Sequence, residues 1–493
     1  MSASTPFALM PNSSSIPWAE IPSWPAEEFV TTTSKELSRQ ARLCSLFAMP
    51  EESETCLVAV LAFDRDNTLA VGRCLPFSGQ FPSLTVHHPQ AHLFEREIWE
   101  QYALRPLGHP WLKPVRKGCG GAPSNREFFR VEGSEVHEVA VGPVHAGIIE
   151  PGHFRFQCAG EEVLHLEIAL GYQHRGIEEA LLGGPHRATR SQIETISGDA
   201  SIAHVSAYAT VLESLAGTEA PLRAQWLRAI ALELERLANH TGDIGALAGD
   251  VAFLPTSSAN GKIRGDFLSL TAMICGNRFG RGLVVPGGCR HDLELERAGK
   301  LRRRLQAVLA DEEQAGAWFW DAASVRARLE GTGTVLPAQA TEIGMVGPAA
   351  RACGIVRDVR YDHPAAWFRF AQLPVAVWPS GDVFARARVR SLEIQRSGDF
   401  LMEQLAAPPD GPICEEMPEA TPDTLAVSLV EGWRGEVCHV AITGETGRFR
   451  RYKITDPSFH NWYGLALSLR GAAISDFPIC NKSFSLSYCG FDL

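Results

Sequence analysis

No two of the twelve cysteines stand close enough in sequence to form a CxxC pair, which argues against a local zinc or iron–sulfur site. No apolar run approaches the roughly 20 residues that a bilayer-spanning helix needs. Any membrane association is therefore expected to come through partner subunits. Positive charge is short as well, with 46 Lys and Arg against 57 Asp and Glu and a formal net charge of -11. Without a basic footprint, a nucleic-acid partner is not expected. A secretory signal is missing from "MSASTPFALMPNSSSIPWAE", so most thiols are expected to be reduced, in a cytosolic protein. Internal repeats and long low-complexity tracts are missing too.

What is present is an ordinary globular composition. The chain has 493 residues, 45% hydrophobic and 21% charged, enough for two or three domains with their own cores. Residues 1–33, rich in Ser, Pro and Thr, read as a flexible or loosely docked arm. Over 34–116, "CLVAVLAFD" (56–64) and "TLAVGRCLPF" (68–77) read as paired strands, and "HLFEREIWEQYAL" (92–104) has helical spacing. The Gly-rich stretch within 117–137 is the linker candidate. From 138 to 493 the chain reads as strands joined by a Gly/Pro loop, then long amphipathic helices at 221–247, 295–314 and 381–406, then β-rich "EVCHVAIT" (436–443). The fold class is α+β, a small N-terminal α/β domain followed by a large, mainly helical domain with β-elements at both ends.

Several stretches could carry chemistry. In "GPVHAGIIEPGHFRF" (142–156) a turn could gather His145, Glu150 and His153 into a cluster that relays protons or binds metal, or leave them as solvated hairpin residues. "GYQHRGIEEALL" (171–182) sets Gln173, His174, Arg175 and Glu178 at a helix start, where Glu178 could pair with His174 one turn away or simply cap. Glu233, Arg236 and His240 share one helical face, solvated on a surface helix but a charge network if buried in a bundle. Arg434 in "EGWRGEV" is flanked by glycines, a setting that points a guanidinium into a cavity, while "RFRRYK" (448–453) reads as a solvated face or a subunit contact.

Taken in order, these stretches with "IETISGDASIAH" (193–204), "GDVFARARVR" and "RYKITDPSFHNW" resemble the large subunit of energy-converting nickel–iron hydrogenases of the formate hydrogenlyase type, and the quinone-site subunit of respiratory complex I. The resemblance covers roughly 138–493. "FPSLTVHHPQAHLFEREIWEQYALRPLGHPWL" (81–112) resembles complex I's small peripheral-arm subunit, which formate hydrogenlyase-type large subunits carry fused at the N-terminus.

The departures define what the resemblance implies. Active hydrogenases bind nickel and iron through four cysteines in two CxxC motifs. Here Ser197 and Ala200 stand at the early pair and Ser487 and Gly490 at the late pair, with Glu194, Gly198 and His204 of the frame retained. Serine, alanine and glycine supply no thiolate, so hydrogenase activity is not expected and no metal is assigned. The complex I pattern is also broken, since its headgroup tyrosine falls on Gly198 and its loop histidine on Ile149, with His145 earlier in the loop.

The resemblance implies catalytic positions at Glu150, His204 and Arg434, a substrate or quinone cavity at His145, Ser197, Gly198, Ala200 and Ser487, and a partner's iron–sulfur cluster near His174 and Arg175. It implies a charge relay through Glu233, Arg236 and His240. It further implies an iron–sulfur small subunit and antiporter-like membrane subunits as partners, and a peripheral place on the cytoplasmic face of the plasma membrane. A redox subunit coupled to ion movement, with a quinone as one candidate acceptor, and a non-catalytic scaffold are the two competing functions.

Overall fold

The computed structural model describes residues 5–116, 128–145, 149–371 and 373–493. Its N-terminal part is a sheet. Short strands β1 (Ala8–Met10), β2 (Ser14–Pro17) and β3 (Ser23–Trp24) precede helix α1 (Ala26–Ser38), and the long strands β4 (Arg42–Glu51), β5 (Glu54–Phe63) and β6 (Thr68–Cys74) follow. The sheet runs β1-β6-β5-β4, with β3 pairing β6 in parallel. The central run of β4 and β5 is buried residue after residue. That fits a strand covered on both faces, here by helix α2 (His92–Tyr102) and the C-terminal sheet.

The arm expected over 1–33 departs from that reading. β1 pairs with β6 of the N-terminal sheet, whereas β2 adds to β10 (Thr424–Gly432) in the C-terminal part, with Leu425 opposite Ile16. Ser and Pro suit such short edge strands, where few backbone donors are needed. The linker expected over 117–137 lies outside the described residues over 117–127, and Val136 already begins a strand.

The second part opens with an antiparallel sheet of β7 (Val136–Val141), β8 (His153–Ala159) and β9 (Glu162–Ala169). Helices α3 (Ser201–Leu215), α4 (Leu222–Asp250), α5 (Leu254–Cys275), α6 (Leu295–Asp321) and α7 (Val383–Gln404) form its bundle. β10, β11 (Gly435–Thr443) and β12 (Phe449–Thr455) then make an antiparallel sheet, and α8 (Pro457–Ser468) and the short α9 (Tyr488–Asp492) close the chain.

α4 starts after Pro221, whose fixed φ suits the first turn. Leu227, Ile230, Leu234 and Leu237 are fully buried, and so are Glu233, Arg236 and His240. The helix is enclosed by α3, α5, α7 and the C-terminal sheet, so its polar face is internal as well.

Candidate functional site

The loop between the short helix Thr189–Ile193 and α3 is pinned from several sides. The Asp199 carbonyl accepts hydrogen bonds from Asn239 Nδ2 at 2.8 Å and Trp433 Nε1 at 2.9 Å. Its carboxylate takes both arms of Arg434, at 2.5 and 2.9 Å. Buried Glu235 accepts from the Ile202 and Ala203 amides, capping α3, and burial pushes its carboxyl up to about 8 against those hydrogen bonds. Burial alone would raise Asp199 too, but the Arg434 charge and hydrogen bonds more than offset this and hold it below its ordinary value.

The two halves of the frame meet here. Ser197 Oγ lies 3.0 Å from Ser487 Oγ and 3.1 Å from Asp199 Oδ1, and Arg434 donates to it at 3.2 Å. Ser487 caps α9 by accepting from the Gly490 amide at 2.9 Å, and its Oγ is 3.4 Å from Cys489 Sγ. Glu150 joins from the other side, accepting from the Tyr488 amide at 3.3 Å. Burial and then the Glu150 charge push the Cys489 thiol up to about 12, so it stays protonated.

Behind the loop, a hydrogen-bonded chain runs through the core. His204 Nε2 is 3.1 Å from Asp456 Oδ2, His204 Nδ1 is 3.1 Å from His439 Nε2, and His439 Nδ1 is 2.9 Å from Tyr452 Oη. His204 donates through Nε2 to Asp456, and the His204–His439 and His439–Tyr452 contacts are each met with either partner as donor. Burial, then His204, hold His439 well below its ordinary value. Burial opposes the Asp456 charge, but the His204 hydrogen bond and charge, with Arg434, keep its pKa low.

The loop 171–176 ties the halves together. Arg175 donates to the Thr195 and Ile196 carbonyls at 2.8 and 3.0 Å, its amide bonds the Leu493 carbonyl, and His174 Nδ1 lies 2.7 Å from the Asp492 carbonyl. Glu178 does not pair with His174. It bonds Arg451 and Lys453, each at 3.0 Å, because β12 brings those cations inward, so "RFRRYK" is largely an internal face. The His145–Glu150–His153 cluster also does not form. His145 Nε2 bonds the Gly152 carbonyl at 3.0 Å and His153 Nδ1 lies 3.4 Å from the Gly142 carbonyl, while Glu150 reaches the C-terminal turn. Among the described residues no group of three or more His, Cys, Asp or Glu is arranged to hold a metal ion.

A cavity of about 510 Å³ opens against this frame, lined by Glu150, Asp199, Asp243, Trp433, Arg434 and Tyr488 among others. Ala200 is buried in the loop without a polar side-chain atom, and Gly198 lies on the exposed side of the loop near Arg281. At Gly490 a Cβ would meet Asp456 Oδ2 at 2.6 Å and Ser487 Oγ at 2.9 Å. The donor set at the four frame positions is thus two mutually bonded hydroxyls, a methyl group and a hydrogen atom, which does not suit a soft bimetallic centre.

Asp199, Asp456 and His439 escaped the sequence reading although all three lie in or beside stretches it singled out. An acid two residues after Ser197, in a Gly-containing turn, was the available signal.

Residues 250–424 match the family model described as the respiratory-chain NADH dehydrogenase, 49 Kd subunit. The carbon monoxide-induced hydrogenase of Rhodospirillum rubrum is 32% identical over 358 residues, covering 70% of this chain and 96% of that protein. The chain belongs to this family of NADH dehydrogenase and hydrogenase subunits. Formate hydrogenlyase subunit 5 of Escherichia coli (strain K12) is another member, 29% identical over 435 residues, or 83% of this chain and 76% of that one. A solved structure of the membrane-bound sulfane sulfur reductase, an archaeal respiratory membrane complex, shares the family fold. It superposes with a TM-score of 0.66 at 24% identity, over 73% of this chain and 99% of that one. The chain is thus complex I-related and hydrogenase large subunit-like, of a kind found as subunits of oxidoreductase complexes. No helix among the described residues is long and apolar enough to cross a membrane.

The face of α4 that the sequence left open is a buried network. Arg236 bonds Glu233 at 3.1 Å and Glu393 at 3.4 Å, and His240 Nε2 is 2.7 Å from Glu393. Arg351 bonds Glu393 at 2.5 Å and Glu431 at 2.8 Å, and Arg360 bonds Glu233 at 2.9 Å and Asp358 at 2.6 Å. Burial lowers His240 to about 4, even with Glu393 beside it, so its ring is neutral near pH 7.

Proposed function

We propose that the chain is the subunit of a membrane-associated, complex I-like oxidoreductase in which electrons from an iron–sulfur cluster in a partner subunit reach an acceptor bound in the cavity lined by Glu150, Asp199 and Arg434. Electron passage is coupled to ion translocation through antiporter-like membrane subunits, at the cytoplasmic face, and no nickel–iron centre takes part. A quinone is the first acceptor to test. One observation carries this reading: Ser197 and Ser487 close on each other beside a cavity of about 510 Å³, where thiolates would otherwise stand.

In that cavity Glu150 supplies a carboxylate next to Cys489 and Ser487, forming a polar route by which a proton can reach or leave the acceptor. Asp199 holds Arg434 in place at the cavity wall. His204 and Asp456 brace the loop from behind.

The test is metal analysis and turnover on the complex purified with this chain. The expected outcome is sub-stoichiometric nickel, no hydrogen uptake, and quinone reduction that Glu150→Gln slows at least tenfold without loss of assembly. Stoichiometric nickel or hydrogen turnover would overturn it. The scaffold reading is favoured by one observation, that Asp199, Ser197 and the Ser485 carbonyl already occupy the Arg434 guanidinium. Unchanged turnover in Glu150→Gln would decide for it.

A further inference from the structure

A cavity of about 490 Å³ opens between the N-terminal segment and α3, lined by Asn12, Ser13, Ser14, Glu213 and Thr218 among others. A smaller space of about 60 Å³ lies further in. The two adjoin, with Ser13, Thr210, Gln225, Arg228, Ala365 and Ala366 lining both. The inner space ends on Arg360 and Glu431, members of the buried charge network.

The walls of the inner space are mostly apolar but carry three polar atoms without partners. Ser206 Oγ, Gln225 Oε1 and His363 Nδ1 are buried and make no hydrogen bond among the described residues. His363 already gives Nε2 to Asp64 at 3.0 Å and Gln225 already gives Nε2 to the Ala220 carbonyl at 2.7 Å. The atoms left over are a hydroxyl, an amide oxygen and a ring nitrogen, each of which a water can satisfy. Buried polar atoms left dry are costly, and a space of this size with three such atoms on its walls has room for a water or two to meet them.

We propose that these adjoining cavities connect as a water-filled inlet through which the buried carboxyl of Glu431 exchanges protons with solvent. The inlet is distinct from the cavity lined by Glu150, Asp199 and Arg434, and the proposal holds whatever acceptor that cavity takes. A proton entering here passes along hydrogen-bonded water to Glu431 and leaves by the same route, with no other bond made or broken.

The charge balance gives Glu431 its role. Facing it are Arg351, which bonds its Oε1 at 2.8 Å, the Val359 amide on Oε2 at 3.1 Å, and, around these, Asp358, Arg360 and Arg236. Glu393 shares Arg351, and Glu233 shares Arg236 and Arg360. Three guanidiniums thus serve four carboxylates, with His240 neutral, and one held proton makes the set neutral. Burial, then the Asp358 charge, push Glu431 up while Arg351 and Arg360 oppose them. Glu233 and Glu393 are lowered despite burial, by their arginine partners. Glu431 is therefore the site of the proton.

The test is infrared spectroscopy on the full-length chain near neutral pH. A protonated carboxyl band that Glu431→Gln removes identifies the group, and its shift after transfer to D2O times the exchange. Ala229→Leu fills the inner space, and Thr210→Leu narrows the junction should the first variant fold poorly. The expected result is a band kept in place and an exchange slowed at least tenfold in either folded variant. An unchanged exchange rate, or no band lost in Glu431→Gln, would overturn the proposal.

Discussion

Ser197 and Gly490 show how a single position can close off a chemistry. Ser197 gives its hydroxyl to contacts with Asp199 and Ser487. At Gly490 there is neither a side chain nor room for one, with Asp456 standing where a Cβ would go. Gly490→Ala is therefore expected to lower stability by about 1–3 kcal/mol through overpacking, measured as a fall in urea midpoint. Asp456→Ala made alongside should return part of that loss in the double variant.

Arg434→Ala tests the facing side of the frame. Asp199 is about a third exposed, so the loss should be modest, roughly 1–2 kcal/mol. The sign with pH follows from its lowered pKa. The ion pair contributes stability above the unfolded carboxyl value, and that contribution is lost as pH falls through the folded one. Denaturation curves for parent and variant should thus converge in acid and separate towards neutral pH.

At the scale of elements, legibility depended on whether local pattern and tertiary setting agreed. The strands β5 and β6 and helices α2, α4, α6 and α7 carry periods that the fold keeps. α5 passed unread because its first half, "LPTSSANGKIRG", is polar and glycine-bearing. That half is shaped by close approach rather than by an apolar stripe: a Cβ at Gly245 of α4 would meet Asn260 Cβ at 2.7 Å. The ionisable face of α4 was visible, but burial was not, because no local pattern says that Glu393, Arg351 and Arg360 come from distant segments to meet it. Arg236→Met, which leaves Glu233 and Glu393 short of a partner, should cost about 3–5 kcal/mol. Urea denaturation of that variant measures it, and a loss under 1 kcal/mol would mean the neighbouring arginines fully compensate.

For the whole molecule, the sequence suggested a small domain, a linker and a large domain, and the ionic contacts join the first to the last. Arg42 of β4 makes two hydrogen bonds to Glu436 of β11, at 2.7 and 2.5 Å, and both groups are buried. Its Nε holds Asp64 at 2.8 Å, and Asp64 in turn holds Arg357 at 3.0 Å. Glu97 of α2 bonds Lys453 of β12 at 2.6 Å, and β2 completes the C-terminal sheet. Interfaces built from buried, bidentate charges lose several kcal/mol when one partner is removed. The N-terminal sheet and the bundle should therefore unfold together. Tryptophan fluorescence and far-ultraviolet circular dichroism are expected to give one coincident transition, and Arg42→Ala should shift it downward as a unit by about 3–5 kcal/mol. Two separated transitions in the parent chain, or an Arg42→Ala effect confined to one of them, would show that the two parts are independent domains resting on each other.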